Sequence, residues 1–153
     1  MRTYIGVDYH RKYSYMVVMD EKGQMVDQGQ VANSSEAVRE FLGRAGVDGD
    51  SAAVLEATRN WTVMHDWLEE VVDEVHLAHP LKVKAIAEAK IKTDKIDAKV
   101  LAHLLRCDLL PEAYVPTPDA RGARNVLRQR MFFVRVRTML KNRIWHMVDR
   151  YPE

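Results

Sequence analysis

Twice in this chain a short apolar run stops on a carboxylate: Ile5-Gly6-Val7-Asp8 and Ala53-Val54-Leu55-Glu56. Runs of this length, built largely from aliphatic residues, read as strands covered on both faces. A charge leaving such a run is costly unless it is paired or liganded. The feature calls for a layered domain whose buried sheet carries acids at its strand ends. In open α/β sheets, ligand sites form beyond the carboxyl ends of the strands.

The rest of the chain supplies the layers. Residues 3–8 and 13–19 read as two strands, and residues 24–31 as a third, returning through a turn where Gly23 is free to take positive φ. Asn33, Ser34 and Ser35 offer a helix cap, with Ala37, Val38, Phe41 and Leu42 at helical spacing after them. Residues 51–56 form the fourth strand. Trp61, Met64, Trp67, Leu68 and Val71 mark a second amphipathic helix. Residues 74–78 make a short fifth strand, and Pro80 is expected to break the chain after it. Thr93 and Asp94 open another helix, with Ile96, Val100, Leu101, Leu104 and Leu105 on its apolar stripe. Pro111, Pro116 and Pro118 punctuate a linker, and from Asp119 to about Asp149 the chain reads as one long helix. The expected class is α/β, a mixed sheet with flanking helices. The expected divisions are a domain over residues 1–110, a Pro-rich linker over 111–118 and a coiled-coil-like helical segment over 119–153.

A chain of 153 residues can bury a core without disulfides. Its single cysteine, Cys107, excludes an intrachain disulfide and fits a reducing cytosol. No uncharged stretch is long enough to cross a bilayer and no signal peptide precedes the first strand, so a soluble cytoplasmic protein without a membrane partner is expected. The net charge of +1 hides an asymmetry. Residues 1–80 hold 7 Lys+Arg against 14 Asp+Glu, whereas residues 81–153 hold 16 against 8. A basic second half suits a polyanion such as nucleic acid, though solvated basic helix faces are also common.

Asp8 and Glu56 would meet at one sheet edge if their strands are neighbours. Asp94 and Asp97 are three residues apart and share a helix face. Four such carboxylates suit hard divalent cations, and two ions about 3.5–4 Å apart can clamp the attacking and leaving oxygens of a phosphodiester. From spacing alone, Asp94 also reads as an N-cap with Asp97 in the first turn, which is the commoner arrangement. On the long helix, Phe133, Val136, Leu140, Ile144 and Met147 follow a heptad-like spacing. They are flanked by Arg121, Arg124, Arg128, Arg130, Arg135, Arg137, Lys141, Arg143 and Arg150. This helix packs either on its own domain or on a second copy. The histidines His10, His65, His76, His79, His103 and His146 lack a metal-ligand spacing such as HExxH and read as structural or surface residues.

The segments IGVDYHRKYSYMVV, LEATRNW, AHPLKVKAIAEAKIKTDKIDAKVLAHLL and LPEAYVPTPDARGARNVLRQRMFFVRVRTMLKNRI together resemble the amino-terminal part of the bacterial insertion-sequence DEDD transposases, relatives of the Piv DNA invertases. The resemblance runs over essentially the whole chain. It implies a ribonuclease-H-like (RuvC-like) fold in which Asp8, Glu56, Asp94 and Asp97 bind Mg²⁺, with Mn²⁺ as a substitute. The implied partners are DNA, a guide RNA encoded by the element, and further copies of the chain joined through the long helix. The family's second domain, which supplies a nucleophilic serine, is absent from these 153 residues, so a fragment or truncated product is expected. Candidate nucleic-acid contacts are Arg59, Lys92, Lys95, Arg121, Arg124, Arg128 and Arg135. Arg59 departs from the family, which usually has Gly shortly after the glutamate; it either loosens that loop or reaches phosphate.

The expected function is the catalytic domain of a transposase or DNA recombinase that uses Mg²⁺-bound carboxylates. Two rivals differ in kind. A Holliday-junction-resolvase-like nuclease would hydrolyse DNA with water and leave no protein–DNA link. A non-catalytic nucleic-acid-binding dimerisation module would bind normally with all four acids replaced by Ala.

Overall fold

The structure, a computed structural model, describes residues 2–58, 60–86 and 93–151. It divides into two compact units, Met1–Val115 and Pro116–Glu153.

The first unit is built on a five-stranded sheet in the order β3-β2-β1-β4-β5, with β1 (Thr3–Tyr9), β2 (Tyr13–Met19), β3 (Met25–Ala32), β4 (Ser51–Glu56) and β5 (Glu74–Ala78). The meander β1-β2-β3 is antiparallel, and β4 and β5 add to β1 in parallel. Gly23 turns the β2–β3 hairpin at φ +78, and Asp20 Oδ1 accepts hydrogen bonds from the amides of Lys22 and Gln24 beside it. A left-handed residue at this turn favours Gly because a Cβ would be strained there.

Strand periodicity sorts side chains to two faces. Ile5, Val7, Met16, Val18, Ala53 and Leu55 enter one core, shared with Val38, Phe41 and Leu42 of α1 (Ser35–Arg44) and Met64 and Leu68 of α2 (Trp61–Glu69). The opposite face carries Val17, Met19 and Val54, covered by Ala98, Leu101, Ala102 and Leu104 of α4 (Asp94–Arg106). The approach is closest at Gly6. A Cβ there would sit 2.8 Å from the Ala102 nitrogen and closer still to the Ala98 carbonyl oxygen. Glycine on the strand and two alanines one turn apart on the helix let backbone meet backbone.

Two expectations are corrected. Pro80 does not break the chain but opens α3 (Pro80–Ile86), where the N–H it lacks would be unpaired in any case. Residues 111–115, expected as linker, lie along β5: the His79 amide donates to Pro111 O, the Ala113 amide donates to Leu77 O, and Val115 packs on the core. The free edge of β5 takes up these backbone partners.

The second unit is α5 (Pro118–Val148), capped by the Thr117 hydroxyl, which accepts from the Ala120 amide, with proline in its first turn. It has no buried residue. Phe133, Leu140, Ile144 and Met147 are exposed, as are Leu127, Met131, Phe132, Met139, Trp145 and Val148. The apolar surface is therefore wider than the single seam expected from heptad spacing. Among the described residues no helix is long and apolar enough to cross a membrane.

Candidate metal centre

Register brings the two strand-end acids together. In the parallel pair β1–β4, Val7 stands opposite Leu55, so the next residues, Asp8 and Glu56, are opposite each other. Two-residue periodicity puts Asp8 on the face of Gly6 and Glu56 on the face of Val54, which is the side covered by α4. The same seating delivers the first turn of α4. Asp97 lines an open cleft of about 730 Å³ together with Asp8, Glu56, His10, Arg11, Thr58 and Asn60. Asp8, Glu56 and Asp97 also line an adjoining cavity of about 180 Å³ beside α3.

Asp94 comes to Asp8 through a histidine. His10 Nε2 lies 2.9 Å from Asp8 Oδ2 and 3.3 Å from Asp94 Oδ1. The Tyr13 hydroxyl donates to Asp94 Oδ2 at 2.8 Å. The helix is capped by Thr93, whose side chain accepts from the Ile96 amide, so Asp94 has no capping duty. Asp8, His10 and Asp94 each offer a ligand atom, all within 4.8 Å of one another. The turn that holds His10 is itself tied down. Its amide donates to Tyr13 O, and its carbonyl accepts from Asn33 Nδ2, whose Oδ1 accepts from the buried Ser14 hydroxyl. Asn33 thus serves this turn, and Ser34 caps α1.

Burial pushes the Asp8 carboxyl above its ordinary pKa; His10 opposes the rise, and Asp94 and Asp97 add to it. Burial works to lower the His10 pKa, but Asp8 and Asp94 outweigh it and the ring ends above its ordinary value. The bond to Asp94 raises the Tyr13 phenol. Carboxylates that disfavour one another's charge, with an imidazole among them, are a donor set that a divalent cation fits.

The structure therefore brings Asp8, Glu56 and Asp97 to one cleft and links Asp94 to Asp8 through His10. Lys95 is exposed on α4, and Arg124, Arg128 and Arg135 are exposed on α5, with Arg121 half-buried. Arg59 and Lys92 lie outside the described residues. His10 and Tyr13 escaped the sequence reading, which took His10 as structural or surface. The one available signal was the placement of His10 two residues after Asp8, on the same side of an extended chain.

A RuvC from T. thermophilus, solved in complex with a Holliday junction substrate, resembles this chain with a TM-score of 0.51 at 14% identity, covering 74% of this chain and 100% of that one. A weaker likeness, TM-score 0.33 at 15% identity, links 50% of this chain to 31% of component A of the Acidaminococcus fermentans (R)-2-hydroxyglutaryl-CoA dehydratase. No curated protein matches the sequence. The first likeness shows a RuvC-like, ribonuclease-H-like fold, in keeping with the mixed sheet and flanking helices. The family model of the IS110-type DEDD transposases matches residues 5–152. A match over nearly the whole chain, on a fold of this type, makes the protein a member of the IS110-type DEDD transposase family.

Proposed function

We propose that this chain is the catalytic part of a DNA transposase that cleaves and exchanges strands using divalent cations held by Asp8, Glu56, Asp94 and Asp97. The observation that carries the reading is the meeting of Asp8, Glu56 and Asp97 at one cleft, with Asp94 joined to Asp8 through His10. When bound, Mg²⁺ or Mn²⁺ would polarise a phosphate oxygen and neutralise charge developing on the phosphodiester. The chain's own groups do the positioning. Asp8 and Glu56 project from strands fixed by the sheet, Asp94 and Asp97 from a helix seated on Gly6, and Tyr13 orients Asp94. Family resemblance adds a guide RNA and a serine nucleophile from a second domain, with the first compact unit as the catalytic domain.

Lys95, with Arg121, Arg124, Arg128 and Arg135, would contact the nucleic-acid backbone. The four arginines recur at spacings of three, four and seven, which places them on one face of α5. Such contacts steer and hold a polyanion without reading its sequence.

The test is cation-linked stability. A ligand that binds only the folded state at about 100 times its Kd stabilises by roughly 2.7 kcal/mol. Added Mn²⁺ should raise the melting temperature of the unmodified chain by several degrees. Asp8→Asn should abolish that rise while slightly raising the metal-free melting temperature, because burial and two neighbouring carboxylates already disfavour the charge there. An equal rise in both proteins, read by differential scanning fluorimetry, would place the cation elsewhere. In the complete transposase, protein-linked DNA ends favour transfer through serine, and free ends favour hydrolysis by water.

The imidazole predicts a metal preference. Nitrogen donors favour transition metals over Mg²⁺. Mn²⁺ should therefore stabilise more than Mg²⁺ at equal concentration, and His10→Asn should narrow the gap. An unchanged Mn²⁺/Mg²⁺ ratio of affinities by calorimetry would remove His10 from the donor set.

A further inference from the structure

A second cluster lies on α2, and neither the acidic cleft nor the family resemblance uses it. His65 is 1% exposed, one of few buried polar residues in a core of Met64 and Leu68, and its Nδ1 has no hydrogen-bond partner. That nitrogen lies close to two carboxylates, 3.4 Å from Glu69 Oε2 and 3.6 Å from Asp66 Oδ1. Both separations exceed the roughly 2.7–3.2 Å of an N–H···O hydrogen bond. They match the spacing between ligands of one metal instead: donors about 2.0–2.1 Å from a tetrahedral ion stand roughly 3.4 Å apart. The three ligand atoms lie within 4.8 Å of one another. His65 and Glu69 are one helical turn apart, so they share a face.

We propose that His65, Asp66 and Glu69 form a second divalent-metal site of the zinc class, with water completing the coordination. An imidazole with two carboxylates selects a borderline transition metal over Mg²⁺. The ion would clip together the turns of α2. That helix starts at Trp61, whose ring meets His65 edge-on at 5.4 Å, directly after Asn60 at the rim of the acidic cleft. The site stiffens the element that frames the cleft and takes no part in the acidic cluster.

The experiment titrates the full chain carrying Asp8→Asn, which removes one donor of the acidic cluster and on the proposed function weakens cation binding there, with Co²⁺ and then Zn²⁺. Visible absorption of four-coordinate Co²⁺ should appear and be displaced by Zn²⁺, while excess Mg²⁺ leaves it unchanged. Glu69→Gln alters an exposed side chain and should keep the fold by circular dichroism. It should abolish the Co²⁺ bands and lower Zn²⁺ affinity by at least the roughly tenfold that loss of a mere outer-shell partner costs. Asp66→Asn should act in the same direction, so the proposal does not depend on the buried His65→Gln variant folding. Bands absent from Asp8→Asn but present in the unmodified chain would assign the ion to the acidic cleft and overturn this site alone. Zn²⁺ affinity unchanged by Glu69→Gln and Asp66→Asn would overturn it as well.

Discussion

Gly6→Val is expected to destabilise the fold by roughly 1–3 kcal/mol or more, the cost of forcing atoms into a packed interior, and to remove cation-linked stabilisation with it. A Cβ at position 6 collides with the backbone of α4 at Ala98 and Ala102, and backbone cannot swing aside as a side chain can. The helix has to lift from β1, and its first turn carries Asp94 and Asp97 away from Asp8 and Glu56. Urea unfolding reads the first effect, and the Mn²⁺-induced shift in melting temperature reads the second. Gly6→Ala should show both in weaker form. Gly29→Ala is the control, since its Cβ would meet only the Phe41 ring at 3.5 Å, an ordinary contact. A Gly6→Val protein with an unchanged urea midpoint and a full Mn²⁺ response would separate the seating of α4 from the cluster.

The second large effect is expected on α5. Phe133, Leu140, Ile144 and Met147 are each about half exposed or more. Burying a side chain of this size is worth on the order of 1.5–3 kcal/mol. A stripe of them is expected to favour association with another copy through residues 119–150. Arginines along the same helix repel a close copy at low salt, and a polyanion relieves that repulsion. Leu140→Asp with Ile144→Asp should give a folded monomer, while the unmodified chain should self-associate, more strongly with RNA. Multi-angle light scattering decides it: a monomer in the unmodified chain, with and without RNA, would end the argument for pairing.

Legibility followed the range of the forces involved. The strands that carry Asp8 and Glu56 were readable because apolar runs and their acidic ends are local features. The cap of α4 was not. Thr93 and Asp94 are both capable N-caps in adjacent positions, and only the contact of Asp94 with Tyr13, 81 residues away, separates their roles. His10 looked unremarkable for the same reason, since its neighbour Asp94 arrives on a different element. Prolines at 111 and 116 point to irregular chain, but pairing with an open strand edge is invisible to composition.

By itself the sequence determined which residues become strands, which carry acids out of the core, and which helix is basic and apolar at once. Each follows from hydropathy and spacing within one turn or strand. Tertiary structure decided that β1 and β4 are parallel neighbours in the register opposing Val7 to Leu55, and that α4 lies on Gly6. Those are long-range packing choices, set by which faces bury each other. Through them scattered carboxylates become one cluster, with His10 placed between Asp8 and Asp94.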